Sequence, residues 1–249
     1  MGLFNLLIEY VAPLFLITSP ITSYGDQIRN IHVTRSSRGF SLDTPLIMLV
    51  ASILRCFYWL GAEFETSLLL QSMLMIVAQT VLLKVALDNR PAAAADAHSP
   101  FSGANAATPR PYRFWQWRSQ RPYWEFLAYF VGVTTALQLL FGRSQLFVDL
   151  VGYVALGIEA LLPLPQVLAN QRSRSCAGFR VSVLASWLLG DAMKMVYFYN
   201  AQHVGIQFKA CAIVQMVLDA YLGVQFWRFG AGPVENKDKG KMAVEMTAL

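Results

Sequence analysis

Apolar residues fall into seven long runs separated by short polar or basic stretches, at about 5-31, 42-61, 66-87, 123-142, 146-170, 181-201 and 205-229. A hydrocarbon core about 30 Å thick takes roughly 20 residues of helix. Each run therefore predicts one membrane-spanning helix. Backbone polar groups inside lipid must be satisfied within the segment, so the predicted class is an all-α integral membrane protein with seven transmembrane helices. The first run has no Lys or Arg before it and contains Glu9, unlike the basic start of a cleavable leader, and is expected to remain as a membrane helix. Neither Gly2, with Leu6 after it, nor the Thr-Ala-Leu end reads as a lipid-anchor signal.

Composition agrees with the pattern. Hydrophobic residues make up 55% and charged residues 14%, against roughly 45 to 50% and 25% in soluble domains. The mean hydropathy of +0.43 excludes a disordered chain. Cys56, Cys176 and Cys211 are too few for a disulfide scaffold, and with His32, His98 and His203 they show no metal-ligand spacing. No metal or cofactor is expected.

Charge assigns the sides. Sixteen of the 20 Lys and Arg lie in or beside the connections after spans one, three and five and in the final turn and tail. By the positive-inside rule this side is cytosolic, which makes the N-terminus lumenal and the C-terminus cytosolic. The net charge of +5 then reflects topology and contact with anionic leaflets, and calls for no nucleic-acid partner.

An internal repeat organises the runs. At an offset of 139 residues Gln27 falls on Gln166, Arg35 on Arg174, Ser36 on Ser175, Gly39 on Gly178 and Phe40 on Phe179. Further on, Arg55 falls on Lys194 and Tyr58 on Tyr197. Such self-similarity marks a duplicated unit. The predicted organisation is a first three-helix repeat at 1-87, a cytosolic linker at 88-122, a linker helix at 123-142, a second three-helix repeat at 144-229 and a cytosolic tail at 230-249. The fourth span makes the two repeats parallel, an arrangement found in transporters, with substrate sites expected between the repeats. The linker starts as an alanine-rich flexible stretch and ends with Tyr112, Phe114, Trp115, Trp117, Tyr123 and Trp124 among Arg113, Arg118 and Arg121. Aromatics beside arginines suit the headgroup layer, so this end is expected to be an interfacial anchor for span four.

Polar residues inside the runs are the candidate chemistry. Pro165, reinforced by Pro163, lacks an N–H and is expected to bend or break span five. The Gln166 amide would repair the freed carbonyls. In the first span Ser19-Pro20 and Gly25 would do the bending, and Gln27 keeps the amide. Such a feature is either a hinge or a static kink. Intramembrane charge is costly and usually faces a cavity or a partner; here it comprises Arg55, Asp149, Glu159, Asp191, Lys194 and Asp219. Asp191 and Lys194 share a helix face. Arg55 and Lys194, repeat equivalents, would place one cation at similar depth in each half, suited to a phosphate, with carboxylates such as Asp191 compensating at rest. No nucleotide-binding loop, nucleophile elbow or zinc-protease helix occurs. No enzyme is expected, and no catalytic residue.

Pro165-Gln166, Asn170, Ser175, Gly178 and Phe179, with a weaker copy at Asp26-Gln27 and Gly39-Phe40-Ser41, resemble the signature of the PQ-loop repeat family of seven-span membrane proteins. Phe64-Glu65, Gln71-Ser72, Phe114-Trp115-Gln116-Trp117 and Trp187, Gly190-Asp191, Lys194, Tyr197-Phe198 resemble its solute carrier family 66 branch. The resemblance implies an endosomal and trans-Golgi membrane protein that affects phospholipid distribution between leaflets, with scramblase activity proposed for fungal relatives. Other family members export cystine or cationic amino acids from lysosomes with protons; the cystine exporters carry an aspartate where Trp187 stands here. Three functions follow as expectations. The first is energy-independent phospholipid translocation along a polar seam lined by Arg55, Asp191, Lys194, Trp187, Asp219 and Glu159. The second is proton-coupled export of a small polar solute through Asp191, Asp219 or Glu159. The third is a non-transporting sorting or scaffold role for the linker and tail.

Overall fold

The structure, a computed structural model, describes residues 11–37, 42–90, 114–115, 117–174, 176, 181–200 and 204–230. These residues are helical throughout their ordered elements: α1 (Ala12–Thr34), α2 (Asp43–Ala62), α3 (Thr66–Asp88), α4 (Arg121–Phe141), α5 (Gln145–Ala160), α6 (Leu164–Ser173), α7 (Val181–Asn200) and α8 (Ile206–Phe229). Four of them, α2, α3, α4 and α8, are long and apolar enough to cross a membrane. The chain is an α-helical, multi-pass membrane protein. Most of the early linker, the tail and the Gly39-Phe40 and Gly178-Phe179 strings lie outside the described residues.

The fifth predicted span is not one helix. It is α5 and α6, of 16 and 10 residues, or about 24 and 15 Å of rise, separated at Leu161–Pro163. Pro165 sits in the first turn of α6, where a missing N–H costs nothing, so it starts a helix and does not kink one. The carbonyls at the break are taken by the tightened backbone: Leu161 N–H donates to Gly157, Leu162 to Glu159 and Leu164 to Leu161, at 3.2, 3.1 and 3.0 Å. Gln166 donates instead to Asn170 Oδ1 at 2.8 Å. The expectation that its amide repairs the break is therefore corrected.

The first span also departs from expectation. α1 runs unbroken through Pro20, and the Leu16 carbonyl that Pro20 cannot reach accepts the Ser19 hydroxyl at 2.8 Å. Ser19, not Gln27, supplies the repair. Ser19→Ala is expected to lower stability by about 1 kcal/mol, read as a drop in thermal midpoint of the purified protein.

Packing repeats between the halves. α3 packs against both α1 and α2, and α8 packs against α5, α6 and α7. The third helix of each half thus touches both of its other arms. Arg35 and Arg174, 139 residues apart, both close their helices in the left-handed conformation, with φ of 50° and ψ of 30° and 32°. Between the halves α2 lies along α5. Gly61 and Gly152 permit this: a Cβ on Gly61 would come within 2.4 Å of Val148, and one on Gly152 within 2.7 Å of the Tyr58 ring. Small residues bring membrane helices together in this way.

The end of the bundle carrying the α2–α3, α4–α5 and α7–α8 connections is termed here the turn end, and the opposite end the linker end. At the turn end one apolar cluster draws on both halves, with Ala12, Leu16, Tyr58, Phe64, Leu68, Val148, Leu156, Tyr197, Phe198, Val204, Phe208 and Ala212. Towards the linker end the core divides. One cluster joins α1, α2, α3 and the linker; a smaller one joins Val167, Leu184 and Leu222 of the second half.

Two aromatics from the end of the linker belong to that core. Trp115 is 2% exposed and Tyr123 0%, and they pack with Leu42, Leu82 and Leu83. The Trp115 indole N–H donates to the Leu42 carbonyl at 2.7 Å. Arg90 donates to the Trp117 carbonyl at 2.9 Å and lies over the Tyr123 ring. Trp115 and Tyr123, expected in an interfacial anchor, are instead buried under the first half, where their rings stack edge to face, a packing that adds to the burial of their area. Trp115→Phe keeps the ring and removes the donor, and should cost about 1 to 2 kcal/mol, measured by thermal unfolding.

Candidate functional site: a buried polar layer between the halves

One helical turn from the turn-end cluster, towards the linker end, every core helix changes from apolar to polar. Leu16 is followed by Ser19, Leu68 by Ser72, Leu156 by Glu159 and Ala212 by Gln215; on the oppositely directed α2 and α7, Tyr58 is preceded by Arg55 and Tyr197 by Lys194. The spacing of three or four residues is one turn, so these side chains gather at one level of the bundle.

Arg55 is 3% exposed. Its Nη1 donates to Glu159 Oε2 at 2.6 Å and its Nε to Ser72 Oγ at 2.6 Å, while Ser72 in turn donates to the Leu68 carbonyl. Its Nη2 has no hydrogen-bond partner. The ion pair joins α2 of the first half to the last turn of α5 in the second. Its carboxylate is Glu159, not the Asp191 expected to compensate it, because α2 lies along α5 and away from the Asp191 face of α7. Tyr24 and Gln79 stand on the first-half side of Glu159, and Gln71 donates to Ser19 at 3.3 Å.

The second half holds its own group. Lys194 Nζ donates to Gln215 Oε1 at 3.2 Å and lies 3.9 Å from Asp191 Oδ1. Asp191 and Asp219, 2% and 1% exposed, bring their carboxyl groups together across α7 and α8. Cys211 is within electrostatic reach of Glu159, Lys194, Arg55 and Asp191, and its thiol donates to the Leu156 carbonyl at 3.1 Å. Taking ions from water into such a layer is costly unless they are paired and hydrogen-bonded. A partly satisfied arginine and two adjacent carboxyls are therefore suited to exchanging partners with a charged passenger.

The structure brings Arg55, Glu159, Asp191, Lys194 and Asp219 to this layer. It does not bring Trp187, which is 38% exposed on the outer face, nor Gln166, which lies beyond the break at the linker end. Pro20 is buried in α1 one residue past Ser19. Asp149 lies nearer the turn end, accepting from Gln145 and Gln207. Tyr24, Gln79 and Gln215 were not singled out by sequence, and Ser19, Ser72 and Cys211 were noted there only for a bend, a family resemblance and the cysteine count. Gln71, Ser72 and Gln79, clustered along one otherwise apolar helix, were the available signal. Among the described residues no three His, Cys, Asp or Glu side chains gather as a metal ion would require.

The turn-end cluster seals this layer with reciprocal contacts. The Tyr58 ring lies against Gly152 and its hydroxyl near Gly205, at the start of α8. The Tyr197 hydroxyl shares a 2.8 Å hydrogen bond with Ser67, at the start of α3. Each half thus sends the tyrosine of its second helix to the start of the other half's third helix, at positions 139 residues apart.

Comparison with known proteins finds a family match in the second half of the chain and a fungal relative along most of it. The scramblase ANY1 of Saccharomyces cerevisiae is 28% identical over 286 residues, spanning 89% of this chain and 71% of the yeast protein. The PQ loop repeat matches residues 147–203, from the start of α5 through the break, the Arg174 cap and α7. The chain thus carries a segment similar to a PQ loop repeat, formed by α5, α6 and α7.

Proposed function

We propose that the chain moves phospholipid between leaflets without an energy source, in the manner of a scramblase. The observation that carries this reading is the buried polar layer joined across the halves by Arg55 and Glu159. Carrying a phosphate headgroup across hydrocarbon is costly because its hydration is lost. A layer holding Arg55 with a free Nη2, Lys194 and hydroxyl and amide groups replaces that hydration while the tails remain in lipid. Similarity to a yeast scramblase supports the same class. In this reading seven spans form two parallel three-helix repeats joined by α4, the linker end is cytosolic and the turn end lumenal, and the chain acts in endosomal and trans-Golgi membranes without transforming its substrate.

The test is reconstitution into liposomes carrying fluorescent phospholipid, with the inner-leaflet fraction that becomes accessible to a reductant as readout. Lys194→Gln, whose amide can still pair with Gln215, should slow transfer by about tenfold, equivalent to ~1.4 kcal/mol of barrier, while the elution profile of the protein is unchanged. Transfer by the variant at the unmodified rate would remove Lys194 from the path. The adjoining carboxyls of Asp191 and Asp219 favour one second reading, proton-coupled export of a small amino-acid-like solute. Uptake of labelled amino acids that requires a proton gradient, with no lipid transfer, would select it.

A further inference from the structure

A groove of about 270 Å³ runs between α5 and α8. Its lips are Tyr153, Leu161 and Val214, each about half exposed on the outer surface of the bundle, and Gly157, Ala160 and Ala210 leave the space between them. It is nearly twice the roughly 150 Å³ of an apolar cavity that stays dry and binds a benzene ring, so its natural content is hydrocarbon. Cys211 and Leu156 line it, held together by the bond from the Cys211 thiol to the Leu156 carbonyl. Glu159, between the lining residues Leu156 and Ala160 of α5, holds Arg55 at 2.6 Å, and Cys211 is within electrostatic reach of both. The groove therefore adjoins the helical turn that carries the counter-charge of Arg55. Its α5 wall ends at the Leu161–Pro163 break, next to the carboxylate that holds Arg55.

We propose that this groove seats one acyl chain of a membrane phospholipid and is the lateral entrance through which its phosphate reaches Arg55. The inference rests on the scramblase-like reading and adds where the lipid docks. Hydrocarbon fills the space between Tyr153 and Val214, and the phosphate, anionic and held at the glycerol end of that chain, meets the unpartnered Arg55 Nη2. A charge-assisted hydrogen bond from Nη2 suits it.

The full chain is reconstituted into phosphatidylcholine liposomes containing a phosphatidylcholine with a diazirine on one acyl chain, irradiated, and its adducts mapped by mass spectrometry. Adducts are expected to be enriched on 153–161 and 207–214 relative to Leu139 and Leu140 of α4, which are more exposed and report ordinary lipid contact. Gly157→Phe, at a position where an added Cβ meets nothing within 4 Å, should remove the enrichment and slow transfer; Ala210→Phe provides the same test from the opposite wall. Adducts no denser in the groove than on α4, or unaltered by both variants, overturn the proposal. Enrichment without any lipid transfer by the unmodified protein leaves the seat standing and removes the scramblase reading. Transfer without enrichment removes the seat alone.

Discussion

Glu159→Leu is expected to destabilise the protein by about 3 to 5 kcal/mol, because it leaves a buried guanidinium without its counter-charge. Arg55 is 3% exposed and its ion pair is 2.6 Å long, so it cannot turn to water. Removing both charges, as Arg55→Met with Glu159→Leu, should recover most of that loss, since an apolar pair of similar volume often replaces a buried ion pair at little cost. Thermal unfolding of the purified proteins measures both. If the double variant is as unstable as the single one, the two residues do not act as a pair. Lipid transfer should be lost in both variants, and the recovered fold of the double variant then separates the function of Arg55 from its structural part.

Closing the turn end with a covalent bridge should stop transport. With Cys56, Cys176 and Cys211 replaced by serine, Ser67→Cys and Tyr197→Cys place thiols on α3 and α7 at the two ends of a contact now closed by a 2.8 Å hydrogen bond, separated by the space of the removed ring. A short, reducible bifunctional thiol reagent would join the halves there. Transfer is expected to fall to the rate of protein-free liposomes after bridging and to return on reduction, and either single cysteine should be unaffected by the reagent. Transfer at full rate in the bridged protein would mean that the headgroup does not pass between Tyr58 and Tyr197.

Much of this organisation could be read in the residues themselves. Long apolar runs locate the helices because lipid permits few alternatives, and charge within such runs marked Arg55, Glu159, Asp191, Lys194 and Asp219. Partnership was not legible. Arg55 finds Glu159 across 104 residues, and the repeat offers no guide, since the position equivalent to Glu159 is Pro20. The break in the fifth span was expected at Pro165 but lies before it, because proline reads alike as the end of one helix and the first turn of the next. Trp115 and Tyr123 were misplaced for a similar reason. Aromatics interleaved with arginine satisfy a headgroup layer and a core plug equally well, and only the Leu42 carbonyl, 73 residues away, decides between them.

The Arg55 and Glu159 pair also sets a schedule for biogenesis. The two residues are 104 positions apart, and at 5 to 20 residues per second α2 leaves the ribosome about 5 to 20 s before α5. During that interval Arg55 costs roughly 2.5 to 3.5 kcal/mol in the bilayer centre, with only the Ser72 hydroxyl of α3 at hand. The nascent first half must either stay beside the insertion machinery or draw water and lipid headgroups to the arginine. A ribosome stalled between Arg55 and Glu159 should therefore hold a half-protein that insertion factors retain, and one stalled after α5 a chain that they release.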